Sequence, residues 1–409
     1  MWVPISVTAV QKKPDHPFGH LSDADVDDLG RELDAIRETV LASRGAADAT
    51  YIRRVIRVQR GLELGSRAVL MASAYRPAWV VGTLGLALAK VLDNMEIGHN
   101  VLHGQWDWMR DPRIQSSTWE WDYATPAELW RRTHNEGHHV FTNILGKDND
   151  LGYGILRVDE DQPWQRRHLL QPVLNALNAL FFEYGIAAYD AGFGGLVRRE
   201  SSATPQVRAD LAQTWTKVRA QATKDFVMWP LLSGPSFRHT LTANLTACLL
   251  RNVWSHSVIM CGHFPEGVET FEQEAVVPDE SRGQWYVRQM LGSADITGPP
   301  LLHVLAGNLS HQIEHHLFPD LPSNRYAEIA PRVRSLLNRH GLRYHAASMP
   351  RQVASAWHKV FRLSLPNDWV TDTTWRNAPA RVLRLFRNEP GLRMPQPSLT
   401  LVRESIIPG

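Results

Sequence analysis

Hydrophobic and polar residues alternate in long blocks along this chain. Residues 22–64 are polar and amphipathic, and they open with Ser22 and Asp25 at the spacing of a helix capping box. Strongly apolar blocks follow, separated by charged segments, at residues 65–104, 168–196 and 226–263. This alternation predicts an all-α, polytopic membrane protein with sizeable parts outside the bilayer.

Two of the apolar blocks are interrupted. Arg76 and Pro77 divide the first block into two helices, and the second of these continues beyond the apolar stretch. This second helix is long enough to cross a bilayer only if Lys90, near its far end, reaches toward the interface. The third block breaks near residues 233–235. We therefore expect about four spans. The alternative is a soluble helical protein with apolar core helices, which the mean hydropathy of −0.28 would suit.

The same pattern divides the chain into three regions. Residues 1–64 form an N-terminal arm and amphipathic helix, residues 65–350 the membrane domain, and residues 351–409 an arginine-rich tail. The first thirty residues contain no apolar core of the signal-peptide type, so we expect the N-terminus to lie in the cytosol.

Composition narrows the class of protein. The 409 residues carry a net charge of only +2, which disfavours a nucleic-acid binder. The two cysteines, Cys248 and Cys261, fall in or near apolar sequence and are expected to be free, buried thiols. So few thiols exclude a cysteine-based zinc site.

Histidine supplies the candidate chemistry. The chain has 18 histidines, and nine of them fall in four short windows: His99 and His103; His134, His138 and His139; His263; His311, His315 and His316. Histidines at i and i+4 share one face of a helix, so each pair can bind one metal or flank two. The adjacent His139 projects in another direction and can reach a different metal from His138.

So many imidazoles exceed the needs of one zinc ion and fit two metals with open positions. Soluble di-iron bundles use glutamate ligands instead, so this is a different class of site. Carboxylates that orient the imidazoles are also expected, and the candidates are Glu96, Asp148, Asp150 and Glu314. His256, seven residues before His263 on one helical face, is a further candidate for a ligand or a water-bridged neighbour.

At these residues the chain resembles the membrane fatty-acid desaturase family. The resemblance runs from about residue 20 to about 345, and within the family it is greatest to the NADPH-dependent stearoyl-CoA 9-desaturases of actinobacteria. The segments that carry it include NMEIGHNVLHGQWDWM, THNEGHHVFTNILGKDNDLGYG, RNVWSHSVIMCGHFPEG and HQIEHHLFPDLPSNRY. The windows at 99–103, 134–139 and 311–316 are called here the first, second and third histidine boxes. In the third box the family places His or Gln three residues before the final pair. That position is Gln312 here, with His311 directly before it, so either residue is a candidate to face the metal.

The resemblance implies transmembrane helices in two hairpins, both termini cytosolic, and a cytosolic helical cap that holds two iron ions. It implies O2 as oxidant and a long-chain acyl-CoA as substrate, with conversion of stearoyl-CoA to oleoyl-CoA by cis-Δ9 desaturation. We expect electrons from a separate NADPH-dependent iron–sulfur oxidoreductase. The arginine pairs at 131–132 and 166–167 are candidates to dock it, although a solvated basic surface is the commoner role of such pairs.

Other functions fit parts of the pattern. A hydroxylase on the same scaffold, or an acyl-lipid desaturase of other regioselectivity, would use the same histidines. A membrane zinc hydrolase would use fewer of them. A metal transporter would place histidines within the spans, whereas these lie at or beyond the span ends.

Overall fold

Helices make up almost all of the regular structure in the computed structural model, which describes residues 19–148, 150–197, 204–273 and 280–367. The helices of the first half are α1 Asp23–Ser43, α2 Ala46–Leu70, α3 Arg76–Val91, α4 Asn100–Leu102, α5 Ala127–Trp130, α6 His139–Phe141, α7 Gln171–Leu180, α8 Phe182–Asp190 and α9 Phe193–Val197. Those of the second half are α10 Pro205–Thr223, α11 Trp229–Leu232, α12 Phe237–His263, α13 Arg282–Leu291, α14 Pro300–Leu305, α15 Gln312–Leu317, α16 Tyr326–Arg339 and α17 Met349–Leu363.

Other helical geometries join these elements. Wider π-helices occupy Leu92–His99, Arg131–His138 and Lys224–Met228. Single 3-10 turns occupy Asp107–Met109, Gly152–Gly154, Arg166–Leu170, Gly234–Ser236 and Ser323–Arg325. Two short strands, β1 Asp295–Thr297 and β2 Ala346–Ser348, pair in parallel. The prediction of a helical fold is confirmed.

The polar N-terminal region forms two helices rather than one. Ser22 caps α1 through the predicted capping box, with its backbone N–H 2.9 Å from the Asp25 carboxylate. The chain then breaks at Arg44 and Gly45 before α2 begins. Helix α2 runs through the boundary expected at 64/65, and α17 runs through the one expected at 350/351.

Two helical hairpins lie where the apolar blocks were interrupted. Helix α2 turns into α3 through residues 71–75, and α3 begins with Arg76 and Pro77. Gly82 of α3 lies so close to α2 that a Cβ atom there would come within 2.7 Å of the Leu70 side chain. The second hairpin joins α11 to α12 through the 3-10 turn at 234–236, and α12 packs against α3. Small residues at such crossings allow close helix packing.

None of the described helices is both long enough and apolar enough to cross a membrane.

A buried ion network, not a lipid interface, surrounds Lys90. Its ammonium group lies 2.7 Å from Asp225 and 2.9 Å from Asp122, and only 4% of the side chain is exposed. Asp225 also accepts a hydrogen bond from Arg67 of α2 at 2.6 Å. The structure therefore does not meet the condition that Lys90 reach toward an interface, because nearby carboxylates supply the charge compensation that solvent would have given.

Removal of the Asp225 carboxylate should destabilise the helix assembly strongly. In an Asp225→Asn variant, Lys90 and Arg67 lose the anion that they share, and breaking such a buried pair costs about 3–5 kcal/mol of unfolding free energy. Thermal unfolding of the purified variant measures this. The control is Asp28→Asn, which breaks the exposed Asp28–Arg31 pair and should change the melting temperature little. Equal shifts in the two variants would contradict the assignment.

The polar parts of the chain fold over the end of the hairpins as a cap. Its largest core joins α1, α13, α15 and α16 through buried side chains that include Leu29, Leu33, Tyr286, Phe318 and Val333. Asp295 of β1 accepts a hydrogen bond from the backbone N–H of Ile313 at 3.0 Å and so caps the start of α15. The third histidine box is thereby fixed against the cap core.

Candidate metal centre

Histidines from separate parts of the chain meet in two clusters. In each cluster the nitrogen atoms that could ligate a metal lie within 4.8 Å of one another. Cluster A, as we call it, consists of His99, His103, His134 and His315, and cluster B consists of His138, His263 and His316. The boxes thus divide between two sites: the first supplies cluster A alone, while the second and third each supply both.

The second box divides between the clusters. His134 and His138 belong to a π-helix rather than the regular α-helix that the i, i+4 spacing suggested, and His99 ends another. His134 and His138 remain neighbours, because their ligand atoms also group with Asp150, but His134 enters cluster A and His138 enters cluster B.

His139 lies between the two clusters. Its ring stacks on His316 of cluster B with centroids 4.4 Å apart, and lies 4.5 Å from His103 and 4.8 Å from His315 of cluster A. Both of its ring nitrogens are buried without a hydrogen-bond partner in the described structure. It is thus available to either site.

Hydrogen bonds at Nδ1 orient several rings with Nε2 facing the centre. The Nδ1 atoms of His138, His263 and His316 lie 2.9 Å from Asp148, 3.1 Å from the Gly292 carbonyl and 3.0 Å from Gln289 Oε1, respectively. In cluster A, His134 Nδ1 lies 2.9 Å from Asp150 and His315 Nδ1 lies 3.3 Å from the Tyr326 hydroxyl. Such contacts fix the tautomer and the direction of a metal-binding imidazole.

The inward-facing nitrogens are suited to cations. Nε2 of His103, His134 and His315 is buried without a hydrogen-bond partner in the described residues. In cluster B, Nε2 of His263 lies 3.1 Å from Nε2 of His316. Because both rings give their Nδ1 proton to an oxygen acceptor, both Nε2 atoms carry the lone pair with which an imidazole binds a cation. The residues present therefore fit a pair of metal ions.

Burial keeps most of these imidazoles neutral. It lowers the pKa of His99 to about 4 and puts the pKa of others well below the usual histidine range, namely His103, His134, His139, His315 and His316. At His138 burial acts in the same direction, but the Asp148 carboxylate outweighs it and raises the pKa. Neutral imidazole is the form that binds metals.

A mostly apolar cavity, called here the inner cavity, adjoins both clusters. His99 and His134 of cluster A and His138 and His263 of cluster B line it. Most of its remaining wall is aromatic or aliphatic and includes Met95, Trp121, Tyr123, Trp130, Tyr153, Phe182, Ile186, Ile259, Phe264 and Leu309. A saturated chain held there would lie directly against the histidines.

The carboxylates expected to support the site fall into two groups. Asp148 and Asp150 contact His138 and His134 directly. Glu96 is buried but bonds to Tyr51 at 2.8 Å, Ser323 at 2.8 Å and Asn308 at 2.9 Å rather than to an imidazole. It therefore ties the first box to the cap instead of orienting a ring.

His311 and Gln312 of the third box lie in different surroundings. Gln312 lines the inner cavity, and its side-chain nitrogen lies 2.9 Å from Nε2 of His263. His311 belongs to neither cluster: its Nδ1 lies 3.8 Å from Asp295 and its ring stacks on His303. The structure therefore places Gln312 beside cluster B and His311 apart from both clusters, in a group with Asp295 and Glu314.

The remaining candidates of the third box and of α12 also lie outside the clusters. Glu314 accepts a hydrogen bond from Tyr344 at 3.0 Å, on the His311 side of α15. His256 bonds to Asn175 at 3.0 Å and packs edge-on against Phe182. Gly262 permits α12 to approach α15, since a Cβ atom there would lie 2.9 Å from the Gln312 side chain.

Several supporting residues were not foreseen. Gln289 accepts from His316 and its amide donates to the His139 carbonyl at 3.2 Å, and Tyr326 holds His315. Trp130 stacks on His134 with centroids 4.3 Å apart. Gln289 and Tyr326 come from helices whose spacing carries no ligand pattern, so only the tertiary structure reveals them.

Known proteins resemble this chain over most of its length. A family model described as fatty acid desaturase matches residues 77–348. An NADPH-dependent stearoyl-CoA 9-desaturase of Mycobacterium tuberculosis is 48% identical over 373 residues, which cover 90% of this chain and 87% of that protein. More distant relatives include an acyl-lipid (7-3)-desaturase of Rebecca salina, 25% identical over 78% of this chain and 71% of the relative. The sn-1 linoleoyl-lipid 6-desaturase of Synechocystis is 24% identical over 68% of this chain and 77% of the relative. The extent of these matches shows that the protein belongs to the fatty acid desaturase family.

Proposed function

We propose that this protein desaturates a long-chain acyl-CoA, converting stearoyl-CoA to oleoyl-CoA with a cis-Δ9 double bond. The observation that carries the proposal is the juxtaposition of two histidine clusters with an apolar cavity. The 48% identity to a protein named as a stearoyl-CoA 9-desaturase supports the choice of substrate and position.

The clusters suit two iron ions, with His99, His103, His134 and His315 around one and His138, His263 and His316 around the other. His139, between the clusters, is available to either ion. Bound there, iron would supply the oxidising chemistry with O2 that removes hydrogen from unactivated methylenes. The protein positions the ligands in advance: Asp148, Asp150, Gln289 and Tyr326 hold the rings through Nδ1.

The inner cavity determines where the chain is attacked. Trp121, Tyr123 and Phe182 provide an apolar surface along which a saturated chain packs and from which water is displaced. Because the rings of both clusters form part of the same wall, the methylenes beside them are the ones exposed to oxidation. The depth at which the chain end stops then sets the position of the double bond.

Association with the cell membrane is part of the proposal. Large apolar side chains are exposed on the helices of both hairpins, namely Leu64, Val69, Val80, Val81, Leu84, Leu88, Leu231, Leu232, Leu245, Leu250 and Val253. Apolar surface of this extent favours contact with lipid over water. We propose that the hairpins cross the bilayer as four helices, with the cap and both termini on the cytoplasmic side.

Electrons complete the proposed reaction. Each double bond formed consumes one O2, and the two hydrogens removed from the chain, two electrons and two protons yield two water molecules. A separate NADPH-dependent iron–sulfur oxidoreductase would supply the electrons. The name of the mycobacterial relative, which specifies NADPH, supports this source.

Expression in a desaturase-deficient host tests the function. Together with an NADPH-dependent iron–sulfur reductase, the protein should restore growth without added oleate, and mass spectrometry should locate the new double bond at carbon 9. A hydroxylated product would instead identify a hydroxylase. Full activity without O2, with zinc bound in place of iron, would contradict the proposal.

A further inference from the structure

A second depression, here called the outer groove, lies on the opposite side of α15 from the inner cavity. Residues of α16 form most of it, and its lining comprises His311, Ala327, Ala330, Pro331, Arg334, Ser335, Asn338 and Arg339. No residue lines both the outer groove and the inner cavity.

Two consecutive residues, His311 and Gln312, connect the outer groove to the inner cavity. His311 lines the groove, and its carbonyl accepts a hydrogen bond from the backbone N–H of His315 at 2.9 Å. The next residue, Gln312, already lines the inner cavity. Electron transfer through protein weakens steeply with distance, so a donor seated in the groove would have a short route to the histidine clusters.

The rim of the groove is basic. Arg332, Arg334 and Arg339 are exposed along α16. Arg339 pairs with Glu32 of α1, whereas the Arg334 guanidinium lies 4.5 Å from the centre of the Tyr344 ring. Stacking on an aromatic ring leaves the charge of Arg334 available to a partner. A basic rim of this kind steers and orients an acidic protein.

We infer that the outer groove is the docking surface for an acidic iron–sulfur protein that delivers electrons across α15. The inference rests on the proposed function, which requires a separate electron donor. The donor is oxidised by one electron at each encounter, so two encounters supply the two electrons that each double bond requires. Of the candidate docking arginines suggested by sequence, Arg132 pairs instead with Asp210 at 2.5 Å.

Charge reversal in the groove tests the inference. We would measure binding of a plant-type [2Fe–2S] ferredoxin, chosen for its net negative charge, to the full-length protein and to an Arg332→Glu/Arg334→Glu variant. The variant should bind about tenfold more weakly at low salt, and the difference should shrink as ionic strength rises. The matched control, Arg166→Glu/Arg167→Glu, reverses two exposed arginines of the 3-10 turn at Arg166–Leu170 and should bind as the wild type does.

A second measurement separates docking from folding and from the proposed function. With dithionite as reductant and stearoyl-CoA as substrate, the groove variant should form product in a single turnover as well as the wild type, because no docking is needed. Equal ferredoxin affinity in both variants, or weaker binding of the groove variant only to anionic lipid vesicles, would overturn the inference. If the wild type forms no product with dithionite, the proposed function fails, while the binding measurement still decides the docking surface.

Discussion

Replacement of His315 by alanine should abolish desaturation and release metal from cluster A. His315 is fully buried, and its inward nitrogen has no hydrogen-bond partner among the described residues, so its loss removes a ligand that nothing nearby can replace. We expect roughly half of the bound iron to be lost and activity to fall by more than about 100-fold. Removal of a residue that only orients a ligand already lowers metal affinity or activity by about 10–100-fold, and His315 is proposed as a ligand itself. Metal analysis and product assay measure the two effects.

The matched control for this variant is His256→Gln. His256 is also a buried histidine, but its Nε2 bonds to Asn175 and it belongs to neither cluster. A glutamine amide can donate the same hydrogen bond to Asn175, so the iron content should remain that of the wild type. Retained activity in His315→Ala, or equal loss of iron in the two variants, would refute the ligand assignment.

An Asp148→Asn variant should have the next largest effect, although Asp148 is not proposed to touch the metal. Its carboxylate is fully buried and accepts hydrogen bonds from His138 and from the backbone N–H groups of Asn143 at 2.7 Å and Asp150 at 2.8 Å. Both of its oxygens are thus used as acceptors. An asparagine side chain would replace one of these two oxygens by an NH2 group. The buried N–H group that bonded to that oxygen would then face another hydrogen-bond donor.

We therefore expect the metal affinity of this variant to fall by about 10–100-fold, with the loss concentrated in cluster B. Titration with an iron chelator, followed by metal analysis, measures the change. Asp161→Asn provides the same substitution at an exposed residue and should leave the affinity unaltered. An unchanged affinity in Asp148→Asn would show that His138 does not depend on this carboxylate for its orientation.

The histidine pattern was the most informative part of the sequence. Spacing alone indicated a two-metal site, because repeated i, i+4 pairs with an adjacent third histidine supply more ligands than one metal uses. The interruptions at Arg76–Pro77 and 233–235 likewise located the turns of both hairpins, since proline and glycine disfavour continuous helix. These are local effects, and local sequence determines them.

Which histidines share a site was decided by tertiary structure. His134 and His138 lie four residues apart on one helix, and only their distant partners place them in different clusters: His99, His103 and His315 for the first, His263 and His316 for the second. Nor does spacing distinguish His311 from Gln312, because the turn into α15 depends on the Asp295 cap. The surroundings of Lys90 also depend on tertiary structure. Its partners Asp122 and Asp225 are distant from it in sequence and meet it only in the folded chain. Sequence thus determined the ligand types and the helices that carry them, whereas long-range packing decided which side of each helix faces the metals.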